Sequence, residues 1–372
     1  MVPVRILHVT DCYRPMMGGI ETQVSHLAAH QARDHEVAVF TTTAAHPGAH
    51  GRSREQHDDV DVYRVAARMP LGIPVHPCAP RHLRDLIGRL DPDVVHFHMG
   101  GTAPSVQSSL RAASGRPTVL TIHSVWTPAV VGSYRALSAL TGFASWGIQM
   151  STVSGMCARR VEAWVGTPVM VVGNGTDVDQ WRAPALPHDG VHVVSATRFA
   201  PRKRIGAMLR MLRDAHDELG SGAGLRATIA GDGPELARAR AWVDHHGLGS
   251  WLHLPGRMDR GGLQRLYREA DVYLAPVVLE AFSIAVLEAQ CAGLAILCRT
   301  QSGAAERLTD GVDGLLAPDD AALTAGLVRL VRDRQLLARI TAHNRTTVPP
   351  YDWDTVMAQT EEVYRAAGGL AG

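Results

Sequence analysis

Residues 280–288 read EAFSIAVLE and lie between two stretches with different hydrophobic patterns. The apolar run before them, residues 271–276 (DVYLAP), is typical of a buried β-strand. After it, residues 284–292 repeat apolar side chains at helical spacing, and Ser283 stands where a helix N-cap residue belongs. The stretch therefore predicts a strand, a short loop and a helix.

This arrangement places Glu280 in the loop at the carboxyl end of the strand and Glu288 in the second turn of the helix. In an open α/β sheet, ligands bind at that end of the strands. The backbone N–H groups at the start of such a helix also suit a phosphate. Taken alone, the two glutamates support a ligand site and an ordinary solvated surface equally well.

The composition limits the class of protein. The chain has 372 residues, of which 46% are apolar, and this length predicts two domains. A net charge of +1, with no basic half, argues against a dedicated nucleic-acid binder. Five scattered cysteines without a Cys-x-x-Cys predict reduced thiols in a cytoplasmic protein. No apolar run reaches 18 residues, so we expect a soluble protein, or one that rests on the inner face of a membrane.

Strand and helix patterns alternate along both halves of the chain. This alternation predicts an α/β protein with two doubly wound parallel sheets, over residues 1–183 and 184–349. A connector rich in Pro and Gly at residues 184–190 is the expected boundary. A cleft between the two domains is the expected ligand site.

Lys203 is the only lysine among 37 basic residues. With Arg198 it follows the apolar run at residues 191–197, before a predicted helix. A planar guanidinium and a compact ammonium at a strand-to-helix turn suit a diphosphate. A basic surface loop is the alternative interpretation.

The first half contains weaker signals. Gly18 and Gly19 follow the first strand, where they favour a phosphate and tight packing equally. His96 and His98 share one strand face, but no third ligand is visible, so no metal site is predicted. His123 ends another strand, from which it would polarise a substrate hydroxyl or carry a proton; a structural role is the alternative.

A helix from Arg81 to Leu90 is basic and amphipathic. Such a helix either packs on the sheet or contacts an anionic membrane surface, and weak membrane contact is kept as the alternative here.

The order of these motifs resembles glycosyltransferase family 4, whose members are retaining enzymes of the GT-B fold, with two Rossmann-like domains facing a central cleft. The resemblance covers nearly the whole chain. The residues that carry it are Gly18-Gly19-Ile20-Glu21, His123, Asn174-Gly175-Thr176-Asp177, Arg198 with Lys203, Gly231-Asp232-Gly233-Pro234, Glu280 with Glu288, and Gly303 with Glu306.

The resemblance implies transfer of a hexose or amino-hexose from a nucleotide sugar, with a UDP-sugar favoured over a GDP-sugar and no metal or other cofactor. The implied catalytic residues are His123, Glu280, Arg198 and Lys203. The implied donor-binding residues are Gly18, Gly19, Arg198, Lys203, Gly231, Gly233, Arg257, Met258, Glu280, Ala281, Phe282, Ser283, Ile284 and Glu288. Residues 350–372 are implied to pack on the N-terminal, acceptor-binding domain.

Ala281 and Ser283 depart from the family pattern, which often has glycine at both positions. Both side chains are small, so close approach of a sugar to the backbone is still expected. Glu280 is a less favoured covalent nucleophile, because a glycosidase-type mechanism needs a second carboxyl group in reach.

The acceptor is not specified by these motifs. A small polyol, an aminocyclitol, a natural product and a lipid-linked sugar all fit, and loops at residues 11–19, 66–80 and 124–134 would select among them. The alternatives are a GDP-mannose-dependent mannosyltransferase acting on a phosphoinositol-type lipid or polysaccharide intermediate, a non-catalytic sugar-nucleotide-binding protein, and a phosphorylase or epimerase.

Overall fold

The computed structural model describes residues 3–16, 18–69 and 73–370, apart from the side chains of Leu137 and Ala144. It divides the chain into two compact units. The first unit consists of Met1–Gly175 and Tyr351–Gly372, and the second consists of Thr176–Pro350. Residue 17 and residues 70–72, which belong to two of the predicted acceptor loops, lie outside the described residues.

The first unit is built on one sheet, whose central strands are apolar and buried. Its strands are β1 Arg5–Thr10, β2 Glu36–Thr41, β3 Gly51–His57, β4 Val60–Ala66, β5 Val94–Met99, β6 Thr118–Ile122, β7 Gln149–Thr152 and β8 Met170–Val171. Their order across the sheet is β3-β4-β2-β1-β5-β6-β7-β8. Among these described strands, every neighbouring pair is parallel except β3 with β4. Strands buried on both faces read as continuous apolar runs, which is why the sequence predicts most of them.

The sheet of the first unit carries one antiparallel edge strand, β3, which the sequence analysis did not identify. This strand (GRSREQH) contains no apolar side chain, and all seven residues are exposed. It pairs antiparallel with β4 across a turn at Asp58 and Asp59, both of which have positive φ. An exposed edge strand lacks the apolar signal on which the prediction depended.

The helices of the N-terminal segment are α1 Gly19–Gln31, α2 Ala79–Leu90, α3 Pro104–Ser109, α4 Pro128–Thr141 and α5 Gly155–Val165. The helix α4 ends at Thr141, because Gly142 adopts the left-handed conformation that terminates helices. The apolar face of α2, with Leu83, Leu86 and Ile87, is buried in the core of the unit. Membrane contact by α2 therefore stays a prediction for its exposed arginine face only.

The second unit is a fully parallel six-stranded sheet with the order β11-β10-β9-β12-β13-β14. The strands are β9 Val191–Ala196, β10 Leu225–Ala230, β11 Leu252–Gly256, β12 Val272–Ala275, β13 Ala295–Arg299 and β14 Gly314–Ala317. The helices are α6 Val178–Trp181, α7 Ile205–Leu219, α8 Leu236–His245, α9 Arg260–Arg268, α10 Ile284–Cys291, α11 Asp320–Arg332 and α12 Arg334–Thr346.

The division between the units falls before Thr176, earlier than the expected boundary between residues 183 and 184. The reason is α6, whose buried Trp181 packs with its ring 5.5 Å from that of Tyr267 in the second unit. The final helix, α13 Trp353–Ala366, packs into the first unit, where Val363 and Tyr364 join the core around β1 and β2.

Within the part of the chain that the structure describes, no helix combines the length and the apolar character needed to span a membrane.

Candidate functional site

Lys203 and Glu280 come together at the carboxyl ends of two neighbouring strands. β9 lies between β10 and β12, so connections leave it in opposite directions, and the edge beside β9 and β12 is a topological switch point. Lys203 ends a 3₁₀ turn after β9, and Glu280 lies in the loop after β12. The Lys203 ammonium donates a hydrogen bond to the Glu280 carboxylate, and the two side chains are only 14% and 17% exposed. A largely buried ion pair therefore occupies the edge at which ligands bind in such sheets.

Arg198 is exposed on the same loop after β9. The turn with Gly231 and Gly233 supports this loop, and both glycines have φ near +140°. A Cβ atom at Gly231 would lie 1.8 Å from the Thr197 carbonyl oxygen, and one at Gly233 would lie 2.5 Å from that of Phe199. These two glycines, expected to flank the nucleotide, thus also hold the backbone on both sides of Arg198.

Gly303 supports Glu280 in a similar way. Its N–H donates a hydrogen bond of 2.8 Å to the Glu280 carbonyl oxygen, and a Cβ atom there would lie 2.0 Å from the Ala281 carbonyl oxygen. The motif residue Gly303 was not among the expected donor-binding residues. Its close packing shows that it positions the Glu280 backbone.

The start of α10 differs from the prediction at Ser283. This residue occupies the N-cap position, but it has a φ of 62° and its side chain makes no capping hydrogen bond. Capping side chains normally extend from an extended backbone to the N–H of the second or third helical residue, and a left-handed backbone does not provide that geometry. The helix start is instead fixed by Arg307, whose guanidinium donates to the carbonyl oxygens of Phe282 (2.6 Å) and Ser283 (3.0 Å).

Glu288 lies one turn beyond Ile284 on α10 and is half-buried. Burial raises the pKa of this carboxyl group to about 7, and the charge of Arg260 opposes the shift. A carboxyl group that titrates near neutral pH is typical of functional sites, although structural networks also produce such shifts.

Arg257 and Met258 follow β11 at the same sheet edge, and β10 separates β11 from β9. Arg257 is exposed, and Met258 is half-buried.

Arg204, which follows Lys203 in the chain and which the sequence analysis did not single out, has a structural task. It donates to the Pro276 carbonyl oxygen at 2.8 Å and pairs with Asp320 at 2.6 Å, so it ties the loop after β9 to the end of β12.

In the first unit, Gly18 and Gly19 have different surroundings. Gly18 has an extended backbone, and a Cβ atom there would lie 2.3 Å from a carboxylate oxygen of Glu21, so a side chain at this position would require that carboxylate to move. Gly19 is exposed at the first position of α1, and a Cβ atom there would contact nothing within 4 Å. Of the two, Gly19 is the more exposed and has open space beside its backbone for a ligand.

His123 follows β6 and belongs to a cluster of histidines inside the first unit. Its Nε2 lies 3.1 Å from Nδ1 of His98, and Nε2 of His98 lies 2.9 Å from Nδ1 of His8. Burial lowers the pKa of His123 to about 4. The ring is therefore neutral at physiological pH, and it acts as a hydrogen-bonding group rather than as a cation.

His8, which the sequence analysis missed, supplies the third member that His96 and His98 lacked. One nitrogen atom from each of these rings lies within 4.8 Å of the others, a spacing that could hold a metal ion. Both ring nitrogens of all three histidines, however, already have hydrogen-bonding partners. The cluster is therefore satisfied as a neutral hydrogen-bonded network.

Two family models match the chain in succession. The model of Glycosyltransferase Family 4 matches residues 17–180, and that of Glycosyl transferases group 1 matches residues 177–347. Together they span both units.

Individual relatives match over nearly the whole length. The phosphatidyl-myo-inositol mannosyltransferase of Mycobacterium leprae is 30% identical over 378 residues, which cover 93% of this chain and 92% of that protein. A GDP-mannose-dependent alpha-mannosyltransferase of Mycobacterium tuberculosis is 26% identical over 404 residues, which cover 99% and 98%.

Among solved structures, sucrose-phosphate synthase of Thermosynechococcus elongatus superposes with a TM-score of 0.78 at 19% identity, over 97% of this chain and 98% of that one. The shared architecture is the GT-B fold. The predicted family is thus confirmed, and the chain belongs to glycosyltransferase family 4, among the group 1 glycosyl transferases.

Proposed function

We propose that this glycosyltransferase moves a mannosyl residue from GDP-mannose to a hydroxyl group of an inositol phospholipid, with retention of the anomeric configuration and without a metal ion. The observation that carries the donor site is the Lys203–Glu280 pair at the switch point of the second sheet. The choice of donor and acceptor is supported by the relatives from Mycobacterium, which are named for phosphatidyl-myo-inositol and for GDP-mannose.

The proposed role of the cations follows from the charge that develops during transfer. Breaking the bond between the sugar and the diphosphate leaves negative charge on the leaving oxygen, and fixed positive charges stabilise that state. Lys203 and Arg198 are the groups at the end of β9 that would supply them, with the N-terminal end of α10 adding its dipole. The acceptor hydroxyl would attack the face from which the diphosphate leaves, and a leaving phosphate oxygen would take its proton.

Glu280 would accept hydrogen bonds from hydroxyl groups of the donor hexose, and Glu288 would accept them from the ribose. These two carboxylates follow the same strand, one before and one within α10. Donor binding would therefore replace the Lys203–Glu280 contact with two new ones, in which Lys203 bonds a phosphate and Glu280 bonds the sugar.

A cavity in the first unit that is lined mostly by apolar side chains supports a lipid acceptor. It has a volume of about 690 Å³, and its lining includes the aromatic residues Tyr134, Phe143, Trp146 and Trp164. The transfer of a hydrocarbon chain from water to such a lining is favourable, whereas the transfer of a small polyol is not. A lipid is therefore proposed here in place of the small polar acceptors that the motifs also allow.

A UDP-sugar was the donor favoured by the resemblance, and GDP-mannose was its alternative. The experiment that decides between them is a thermal-shift screen of UDP- and GDP-sugars against the purified protein. A donor that binds only the folded state raises the melting temperature in proportion to the logarithm of its concentration. GDP-mannose is expected to give the largest shift. A shift with a UDP-sugar and none with GDP-mannose would reject the proposed donor.

Donor affinity is expected to depend on pH through Glu288. Because its pKa is about 7 without ligand and the ribose hydroxyls bond the ionised carboxylate best, the Kd of the nucleotide sugar should rise about 10-fold from pH 8 to pH 6. The intact nucleotide sugar suits this calorimetric titration because its diphosphate does not titrate in that interval. In the Glu288→Gln variant the Kd should be larger than in the wild-type protein and nearly independent of pH. An equal slope in both proteins would assign the titration to another group.

A further inference from the structure

A continuous line of hydrogen-bonded side chains crosses the interior of the first unit, from α13 to His123. Tyr364 Oη lies 2.9 Å from Gln31 Nε2, and Gln31 Oε1 lies 2.7 Å from His8 Nε2. His8 Nδ1 lies 2.9 Å from His98 Nε2, and His98 Nδ1 lies 3.1 Å from His123 Nε2. Tyr364, Gln31, His8 and His98 are all buried, and His123 is half-buried at the end of the line.

Each ring in this line has a single hydrogen to share. Burial lowers the pKa of His8 and of His123 to about 4 and holds that of His98 well below its usual value, so all three imidazoles are neutral at pH 7. A neutral imidazole donates from one nitrogen and accepts at the other. Each ring must therefore donate towards one end of the line and accept from the other end.

Only two arrangements satisfy every member. If the Gln31 carbonyl oxygen faces His8, then His8 donates from Nε2, His98 donates from Nε2, and His123 donates from Nε2. The free Nδ1 of His123 then carries a lone pair. If the Gln31 amide is turned over, every hydrogen moves to the opposite nitrogen, and His123 carries its hydrogen on Nδ1.

Tyr364 connects the line of side chains to a second branch, which runs through His96, so the hydrogen positions in the two branches depend on each other. Its hydroxyl group also lies 2.9 Å from His96 Nδ1, and His96 Nε2 lies 2.7 Å from Thr121 Oγ1. The structure has the first of the two arrangements, because Gln31 Oε1 faces His8 and Gln31 Nε2 donates to the Tyr364 oxygen. The hydrogen of the Tyr364 hydroxyl group is then left for His96. The two branches are therefore coupled through one hydrogen atom, and neither reverses alone.

We propose that Gln31 and Tyr364 are positioning residues that hold His123 as the Nε2–H tautomer, with the lone pair of Nδ1 presented to a ligand hydroxyl group. The hydrogen position does not depend on the proposed function. Its consequence for transfer does, because a hydroxyl of the substrate would donate to Nδ1. A zinc ion bound by His8, His96 and His98 is the competing outcome, since it would require deprotonated nitrogens that the network now uses.

The experiment is a long-range ¹H–¹⁵N NMR spectrum of the whole protein labelled with ¹⁵N-histidine, at pH 7.5. Imidazole ¹⁵N shifts distinguish a protonated ring nitrogen from an unprotonated one, and His123→Gln assigns the His123 signals by their loss. The wild-type protein is expected to show one His123 tautomer, with the hydrogen on Nε2. A hydrogen on Nδ1, or two comparable populations, would overturn the proposal.

Variants then test the origin of this preference. Gln31→Met removes the amide at similar volume, and Tyr364→Phe removes only the hydroxyl group that orients it. In each, His123 should show both tautomers, and the kcat for transfer should fall about 2- to 10-fold while the KM for donor changes less. Thr360→Val is the matched control, because it removes another buried hydroxyl group of α13, one that donates to the Val356 carbonyl oxygen of its own helix. This variant should leave the His123 signals unchanged.

An unchanged single tautomer in both variants would contradict the assigned roles. Tyr364→Phe carries the test by itself if Gln31→Met does not fold, as circular dichroism would show. Adding ZnCl₂ to the wild-type protein should leave the signals of His8, His96 and His98 in place. Their stoichiometric shift would identify a metal centre instead. If the tautomers behave as expected but no transfer occurs, the proposed function fails and the positioning roles stand.

Discussion

Lys203→Ala is expected to lower kcat/KM for glycosyl transfer about 10²–10³-fold, the loss found when one preorganised donor to a developing anion is removed. The ammonium group bonds the Glu280 carboxylate at the switch point of the sheet. Most of the loss should appear in kcat, because the charge on the leaving diphosphate grows in the transition state. Steady-state kinetics with the nucleotide sugar varied would measure both constants.

Arg202→Ala is the matched control. Arg202 precedes Lys203 on the same 3₁₀ turn but is exposed to solvent. Its removal should change kcat/KM by less than about threefold, since surface charges interact weakly with a site across water. Near-normal turnover in Lys203→Ala would reject the assignment of Lys203 to the diphosphate.

Glu280→Gln is expected to separate donor binding from transfer. The substitution keeps the shape of the side chain but removes the charge that pairs with Lys203. Transfer should fall about 10- to 100-fold, the equivalent of a lost hydrogen bond to a charged group of about 1.5–3 kcal/mol. The nucleoside diphosphate without its sugar should bind as tightly as before or more tightly, because Lys203 no longer has a competing carboxylate.

Calorimetric titration of GDP, together with transfer kinetics, would reveal this divergence. Glu218→Gln gives the same chemical change at an exposed ion pair with Arg332, where no effect on either quantity is expected. If Glu280→Gln weakened GDP as much as it slowed transfer, Glu280 would contribute through the diphosphate and not through the hexose.

The sequence predicted the fold well where burial leaves a clear pattern. β9 and β12 read as apolar runs because both faces of a parallel strand are covered, and the loops that carry Lys203 and Glu280 follow from these runs. What the sequence could not supply is the strand order. Lys203 and Glu280 are 77 positions apart, and they meet only because β12 lies beside β9.

The histidine network escaped prediction for the same reason. The sequence shows His96 and His98 on one strand, but His8 joins them only because β1 pairs with β5, which sets His8 opposite His96. Tyr364 belongs to α13, near the other end of the chain, and this helix packs into the same core. Histidines on several apolar strands were a visible signal, and its meaning depended on a register that local patterns do not contain.

Backbone geometry was the other missing information. Gly303 has an N–H bonded to Glu280 and no room for a Cβ atom, and Ser283 has a left-handed backbone where a capping side chain was expected. Both features arise from contacts between loops that are distant in sequence. Propensity at a single position predicts neither.

The most direct test of the account is a transfer assay in which the purified protein receives GDP-mannose and phosphatidylinositol in mixed micelles. Released GDP and mannosylated lipid are quantified together. We expect one GDP per glycoside formed, an axial-to-axial outcome at the anomeric carbon by NMR, and a loss of both products in Lys203→Ala but not in Arg202→Ala. Tight binding of GDP-mannose or of any UDP-sugar, with no glycoside formed on this or another hydroxyl acceptor, would contradict the account and identify a protein that binds sugar nucleotides without transferring them.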